Sequence, residues 1–416
     1  RQFYNILYMA TLLTFLLVFF AISLILCFTD CFDKFVFSKM TLNEPNEALM
    51  YWKSPPVRPF LHAYVFNYTN LRKFMAGDDA KLRLREVGPF VYEEILERFD
   101  IEFEDSGNMV NYQESRDYKF RPDLSTREVS KDGVVYAPNI PMLTVAATQS
   151  NANLATKLVT ATLLNSIDAK PFVKMDVDKY LWGYYETMFH LVRSFLPAYY
   201  KEITSDNFGI LQKRKGVSSN RYTIKTGRGD FNEIGQYQRM NSHTTLPYWS
   251  TYDCNALDGT DGTKFGPQTV KGRKPIKVFS PDLCRKLQYR FSQTVRMFNN
   301  SLEALKYVLP TNTFKYGGHS ENKCYCDSKC PPEGIFNTTA CSMGAPMLIS
   351  YPYFVHGNIS LYQDEFLDIK MPEKYAQPHR FDSFINLHPH FGFTMATRNS
   401  FQINIVAKHI ERFPPM

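Results

Sequence analysis

Uncharged, almost wholly apolar positions run unbroken from residue 6 to residue 28 (ILYMATLLTFLLVFFAISLILCF). At about 1.5 Å per residue a helix of this length reaches roughly 34 Å, enough to cross a hydrocarbon core about 30 Å thick. Signal-peptide cores are shorter and end at small residues, whereas this run ends Leu26, Cys27, Phe28. The pattern therefore predicts a retained membrane anchor in preference to a cleaved signal. Arg1 is the only charge before it, and Asp30, Asp33 and Lys34 follow. The positive-inside bias puts residues 1–5 in the cytoplasm, the span at 6–28, and residues 29–416 on the extracellular or lumenal side. Cys27 and Cys31 then sit at the lumenal end, out of reach of cytoplasmic acyltransferases.

Beyond the anchor the period of the pattern changes. Residues 60–67, 81–87 and 90–96 are short, rich in aromatic and β-branched side chains, and punctuated by Gly77, Gly88 and Pro89, which predicts paired strands. Over residues 153–167 the spacing becomes helical, with Leu154, Leu158 and Ala161 on one face, Ala155, Val159 and Leu163 on the next, and Pro171 closing the segment. A second helix is predicted from an Asp178 N-cap through Leu181, Tyr185, Met188 and Val192 to Pro197. After Phe208 short strands return between Gly- and Asn-rich turns. Residues 401–407 (FQINIVA) read as a strand of a sheet.

Composition permits a large folded unit, with 44% hydrophobic residues and 34 Phe and 26 Tyr to fill a core. Cysteine usage sharpens the compartment. Six of eight cysteines, Cys254, Cys284, Cys324, Cys326, Cys330 and Cys341, cluster in the last two-fifths of the chain. An even, clustered set in an oxidising compartment reads as a disulfide framework whose pairing the spacing leaves open. Zinc sites supply two tight thiolate pairs, and these cysteines are scattered, so no metal or other cofactor is expected. Sequons at Asn67, Asn299, Asn337 and Asn358 agree with an extracellular or lumenal face. The net charge of +7 comes from clusters at Lys213, Arg214 and Lys215 and along residues 271–277, set among turn-forming residues as solvated loops; no nucleic-acid partner is expected. Nucleophile elbows, zinc-protease helices, phosphate loops and dinucleotide fingerprints are absent from the sequence. His388 and His390 flank a proline in an apolar stretch and read as structural. No catalytic residue is expected, and the chain is not read as an enzyme.

Several stretches resemble a known family in order along the chain: Phe66 to Asn70, Glu86 to Tyr92, Tyr180 to Tyr184, Tyr248 with Trp249, Cys254 with the Asp258 to Thr263 turn, Phe279 to Cys284, Tyr307 to Pro310, Cys324 to Cys326, and Pro346 to Phe354. Together they resemble the class B scavenger receptor family, in an invertebrate form. The resemblance implies an α+β fold: a large antiparallel β-barrel-like ectodomain with a helical bundle at its apex, here about residues 151–196, a hydrophobic tunnel toward the bilayer, and the N-terminal transmembrane helix. It implies capture of lipids, fatty acids, sterols or lipoproteins, or of apoptotic-cell or pathogen surfaces, at the plasma membrane. The alternative it offers is a lysosomal sorting or adhesion receptor holding a protein partner at the apex. It also implies the pairing of Cys254 with Cys324, Cys284 with Cys341, and Cys326 with Cys330.

The chain departs from the family in two places. Where a scavenger member carries a lysine pair for anionic ligands, Ser166 and Asp168 stand here, leaving Lys170 and Lys174 around Phe172 to supply the charge. The segment 151–178 carries more apolar positions than a helical hairpin buries by itself, so ligand is expected to enter at Leu158, Leu164, Lys170, Phe172 and Lys174. Family members end in a second transmembrane helix, and none follows Ala407 before Met416. The sequence is therefore expected to be a fragment, with its C-terminal part missing.

Overall fold

The computed structural model of the chain describes residues 2–126, 133–149, 152–187, 207–318, 320–326, 330–342, 344–358, 367–377 and 379–407. Helix α1 (Gln2–Phe28) leaves large apolar side chains such as Phe15, Phe19 and Phe20 exposed along its length. Over Gln2–Leu24 it is long and apolar enough to cross a membrane, alone in this among the described residues. A helix suits that role because it satisfies its backbone polar groups internally where no water is present. After a bend at Thr29 and Asp30, α2 (Cys31–Met40) docks on the folded body. The Phe37 ring stacks on Phe231 at 4.6 Å and meets Phe391 edge-on at 6.2 Å, while His390 Nε2 lies 2.8 Å from Asp33 Oδ1. At the other end, Lys264 Nζ donates to the Met40 carbonyl at 3.4 Å, among the carbonyls a helix C-terminus leaves unpaired. Helix α3 (Glu47–Lys53) starts at Asn46, whose side chain accepts from the Leu49 amide, and buries Leu49 and Trp52.

The first half of the body is built on β1 (Phe60–Tyr68), α4 (Leu71–Met75), β2 (Leu82–Glu104), β3 (Met109–Phe120), β4 (Val134–Pro138), α5 (Ile140–Thr148), α6 (Leu154–Ser166), β5 (Phe172–Asp176), α7 (Val177–Trp182), β6 (Tyr184–Tyr185), β7 (Asn207–Phe208), β8 (Gly216–Lys225) and β9 (Tyr237–Met240). Its main sheet runs β1-β2-β3-β8-β9, antiparallel throughout. Register shifts interrupt all four ladders, and each such irregularity adds twist, so the sheet curls.

The two strands expected at 81–87 and 90–96 are one strand, β2, which continues through Gly88 and Pro89. Gly88 has φ +135°, and a Cβ there would stand 2.7 Å from the Ala63 carbonyl oxygen. Close approach to β1, with a register shift between Ala63 and Val65, absorbs the irregularity that the sequence presents as a turn. The helix expected from Asp178 is also corrected. Helix α7 begins at Val177 and ends at Gly183, where φ is +141°. Tyr185 then lies in β6, paired with Asn207; Met188, Val192 and Pro197 fall outside the described residues. Asp178 does not cap the helix; it accepts from the Tyr92 hydroxyl at 3.1 Å.

The second half contains β10 (Ile276–Ser280), β11 (Arg285–Met297), β12 (Leu302–Val308), β13 (Ile335–Asn337), β14 (Met347–Ser350), β15 (Leu367–Ile369), β16 (Phe384–Leu387), β17 (Thr394–Arg398) and β18 (Gln402–Ile405). One antiparallel sheet runs β10-β11-β12-β16-β17 and another β13-β14-β18, while β15 joins the first-half sheet parallel to β2. The larger core packs Tyr289, Tyr307, Phe314, Phe336 and Leu387 between these sheets. A second core under the first sheet packs Tyr112, Trp52, Tyr222 and Phe279.

Two buried arginines sit in these cores. Arg98 reaches Glu114 at 3.2 Å, Asp261 at 3.1 Å and the Trp52 carbonyl at 2.7 Å. The guanidinium of Arg285 lies 4.0 Å from the centre of the Tyr325 ring and 4.6 Å from that of Phe336, and donates to Asn322 Oδ1 at 3.0 Å. Their rings and polar partners replace water for a charge that would otherwise be costly to bury. Sequence patterning signalled neither, since each stands among ordinary strand residues.

Candidate ligand-capture surface and disulfide framework

Helices α5 and α6 are each started by an asparagine. The Asn139 side chain accepts from the Met142 amide at 3.2 Å, and that of Asn153 from the Thr156 amide at 2.9 Å, which satisfies donors that a helix start leaves free. The two helices meet through Met142, Val145, Ala146 and Leu164, with Ile167 and Ala169 packed beside them. Of the apolar positions on α6, Ala161 and Leu164 are buried, whereas Leu154 is 55% exposed, Leu158 45% and Val159 70%. The stripe that reads as one face in sequence is thus split, its second half packing on α5 and its first half facing outward.

Strands β4 and β5 lie next in the chain and pair antiparallel, with Tyr136 opposite Lys174 and Pro138 opposite Phe172. Phe172 is half-buried against Tyr68, ring centres 5.2 Å apart. Lys174 holds its ammonium 5.6 Å from the centre of the exposed Tyr136 ring. Lys170 pairs with Asp168 at 3.1 Å, both side chains well exposed. The carboxylate at that departure from the family pattern therefore neutralises one of the two lysines expected to meet ligand. Val134 and Tyr136 are also exposed, on β4, and were not singled out in sequence, because a five-residue strand offers little periodicity.

Disulfides join Cys254 to Cys324, Cys284 to Cys341 and Cys326 to Cys330, with Cα separations of 6.0, 6.4 and 5.2 Å. The first ties helix Tyr252–Asn255 to the segment after helix Ser320–Lys323. Cys254 and Cys284 are buried, and Trp249 donates its indole N–H to the Cys284 carbonyl at 2.6 Å, so the framework is continuous with both cores. Among the described residues, no group of three or more His, Cys, Asp or Glu is placed to hold a metal ion. His388 stacks on Phe391 and Phe393. Of the sequon asparagines, Asn337 and Asn358 are exposed, and Asn299 lies in the β11–β12 turn. Asn67 is half-buried in β1, its Oδ1 accepting from the Tyr136 amide at 2.9 Å.

Known proteins resemble the chain over nearly its whole length. It matches the CD36 family over residues 12–416. The chain belongs to the CD36 family. Among its relatives, lysosome membrane protein 2 of Homo sapiens is 28% identical over 408 residues, covering 98% of this chain and 81% of that protein. The Mus musculus protein of the same name is 28% identical over 410 residues with the same coverage. Scavenger receptor class B member 1 of Sus scrofa is 24% identical over 377 residues, or 90% of this chain and 70% of the relative. The chain is accordingly a membrane protein of the class B scavenger receptor family with an N-terminal apolar helix and disulfide bonds. That family consists of receptors and membrane proteins, in keeping with the lack of an enzyme motif.

Proposed function

We propose that this CD36-family protein is a membrane-anchored receptor that captures hydrophobic ligands, namely lipids or lipoproteins, on the face formed by α6 and β4, and passes them through its ectodomain toward the bilayer. Residues 1–5 lie in the cytoplasm, 6–28 cross the membrane, and 29–416 form an extracellular or lumenal ectodomain. The two curled sheet systems make a barrel-like body, and α5 with α6 belongs to a helical apex. The observation that carries the reading is the split face of α6: Leu154, Leu158 and Val159 stand exposed over a helix pair already packed through Leu164, while Val134 and Tyr136 stand exposed on β4. A protein gains nothing by itself from leaving such a face in water, and contiguous exposed apolar surface marks interaction sites.

The test is to extract the purified full chain and identify bound lipid by mass spectrometry, then to measure fatty-acid affinity against chain length. Affinity should rise with each methylene, by up to about 0.8 kcal/mol for full burial. A flat chain-length series with no bound lipid would sink the proposal. The second reading is a sorting or adhesion receptor that holds a protein partner on the same face, in a lysosomal membrane. It draws support from similarity to lysosome membrane protein 2 across nearly the whole chain, and the flat result would bring it forward.

A further inference from the structure

We infer that residues 388–393, the turn between β16 and β17, form an acid-released latch that holds α2, the helix joining α1 to the body, in its docked position. Asp33 and Phe37 stand one helical turn apart on the same face of α2, and this turn meets both. His390 Nε2 donates to Asp33 Oδ1 at 2.8 Å, the His390 ring stacks on Phe37 at 6.5 Å, and Phe391 meets Phe37 edge-on at 6.2 Å. Apart from the turn, α2 rests on the Phe231 stack and on Lys264, which donates to the Met40 carbonyl.

The turn is fixed by the imidazole of His388. Its Nδ1 accepts from the backbone amides of His390 at 3.3 Å and Phe391 at 3.2 Å, and its ring stacks on Phe391 and Phe393. A ring nitrogen accepts only while it carries no proton, so the closed turn requires a neutral His388 with its proton on Nε2. A proton on Nδ1 would face two N–H donors, and the turn would have to open. Burial pushes His388 down, and His390 beside it acts in the same direction. Above about pH 6.5 the imidazole is neutral whether the turn is open or closed, and the latch has its full strength. As pH falls through that value the open form takes the proton first, and the closed form loses stability. His390 works in the opposite sense, because its Nε2–H donates to Asp33 in either charge state and a charge on the ring strengthens the bond. The other charged groups on the elements packed against the turn are Lys34 on α2, Asp230 and Glu233 flanking Phe231, Asp261 and Lys264 on the segment that bridges to Phe393, Lys271, and Glu303 on β12. Among the described residues none of them bonds to either ring; Glu233 pairs with Lys225, and Asp261 with Arg98.

The test is amide hydrogen exchange of the full chain in phosphatidylcholine nanodiscs, followed in peptides covering residues 31–40 and 387–394 and corrected for the intrinsic pH dependence of exchange. Between about pH 7.5 and about pH 5.5 protection of both peptides should fall about threefold or more, while peptides of β2 and β3 keep theirs. In His388→Asn the side-chain oxygen can accept the same two amides and does not titrate, so protection should persist and stay flat with pH. His390→Gln should lower protection at both pH values and leave the acid step in place. Protection that is constant or rises on acidification overturns the proposal, as does an acid step that survives His388→Asn or vanishes in His390→Gln. Should the variants misfold, the unaltered chain decides: a loss that sets in only below about pH 4.5, where carboxylates take up protons, overturns the assignment to His388.

Discussion

Arg98 joins residues far apart in the chain, since Glu114 and Asp261 close on it from a neighbouring strand and a distant turn and Trp52 from α3. Breaking a buried pair from one side costs about 3–5 kcal/mol where the remaining charge has no other partner; Arg116, 2.6 Å from Glu114, holds the loss toward the lower end. Arg98→Met should destabilise by that order in thermal unfolding, whereas replacing Arg98 together with Glu114 by apolar residues should cost less. Lys264 titrates under burial, which pushes it down to about 8 with Asp261 only partly opposing the shift. Below that value the buried ammonium is charged in the fold and carries the full cost of its burial; above it the group is neutral in the fold. Between about pH 8 and 10.5 the unfolded chain binds more protons, so this site's contribution to stability rises with pH across that window. Unfolding profiles of the parent and of Lys264→Met should diverge only there; parallel profiles would show that burial of this lysine is not felt.

Helix α6 shows why a pattern on one element is read only in part from sequence. The spacing of Leu154, Leu158 and Ala161 announces a helix, and the structure has one over Leu154–Ser166, but which turn packs depends on where α5 lies. Leu164 has no exposed surface, so Leu164→Ala should cost about 2–5 kcal/mol as transfer energy and cavity add. Leu158→Ala should fall within about 0.5 kcal/mol, as exposed substitutions usually do. The stability measurement is matched by a binding one, in which Leu158→Asp lowers lipid capture with Tm unchanged. Equal stability losses at the two positions would mean that the helix pair is packed differently.

At the scale of the whole molecule, the disulfide between Cys254 and Cys324 closes a sequence separation of 70 residues, worth roughly 4 kcal/mol in the chain-entropy view. The four-residue separation of Cys326 and Cys330 is worth about 2 kcal/mol in the same view. Replacing both Cys254 and Cys324 by Ala should therefore lower Tm more than replacing Cys326 and Cys330, as scanning calorimetry of the two variants would show. The reverse order would place the constraint in local shape rather than in chain entropy.

The sequence by itself determined whatever depends on local composition: an apolar run long enough for α1, helical spacing for α6, aromatic and β-branched runs for β1 and β18, and an oxidised cysteine set. Family membership was legible as well, because its signature is spread along the chain in order. What tertiary structure alone decided needed partners from elsewhere. Gly88 and Pro89 read as a turn until β1 supplies the ladder that carries β2 through them. Asp178 reads as a cap until Tyr92 claims it. Asp33 meets His390 across most of the chain's length, and Phe37 finds its stacking partner in Phe231. Local preferences act over a few residues, whereas burial and ion pairing act over a few ångströms, and only the folded chain turns one kind of neighbour into the other.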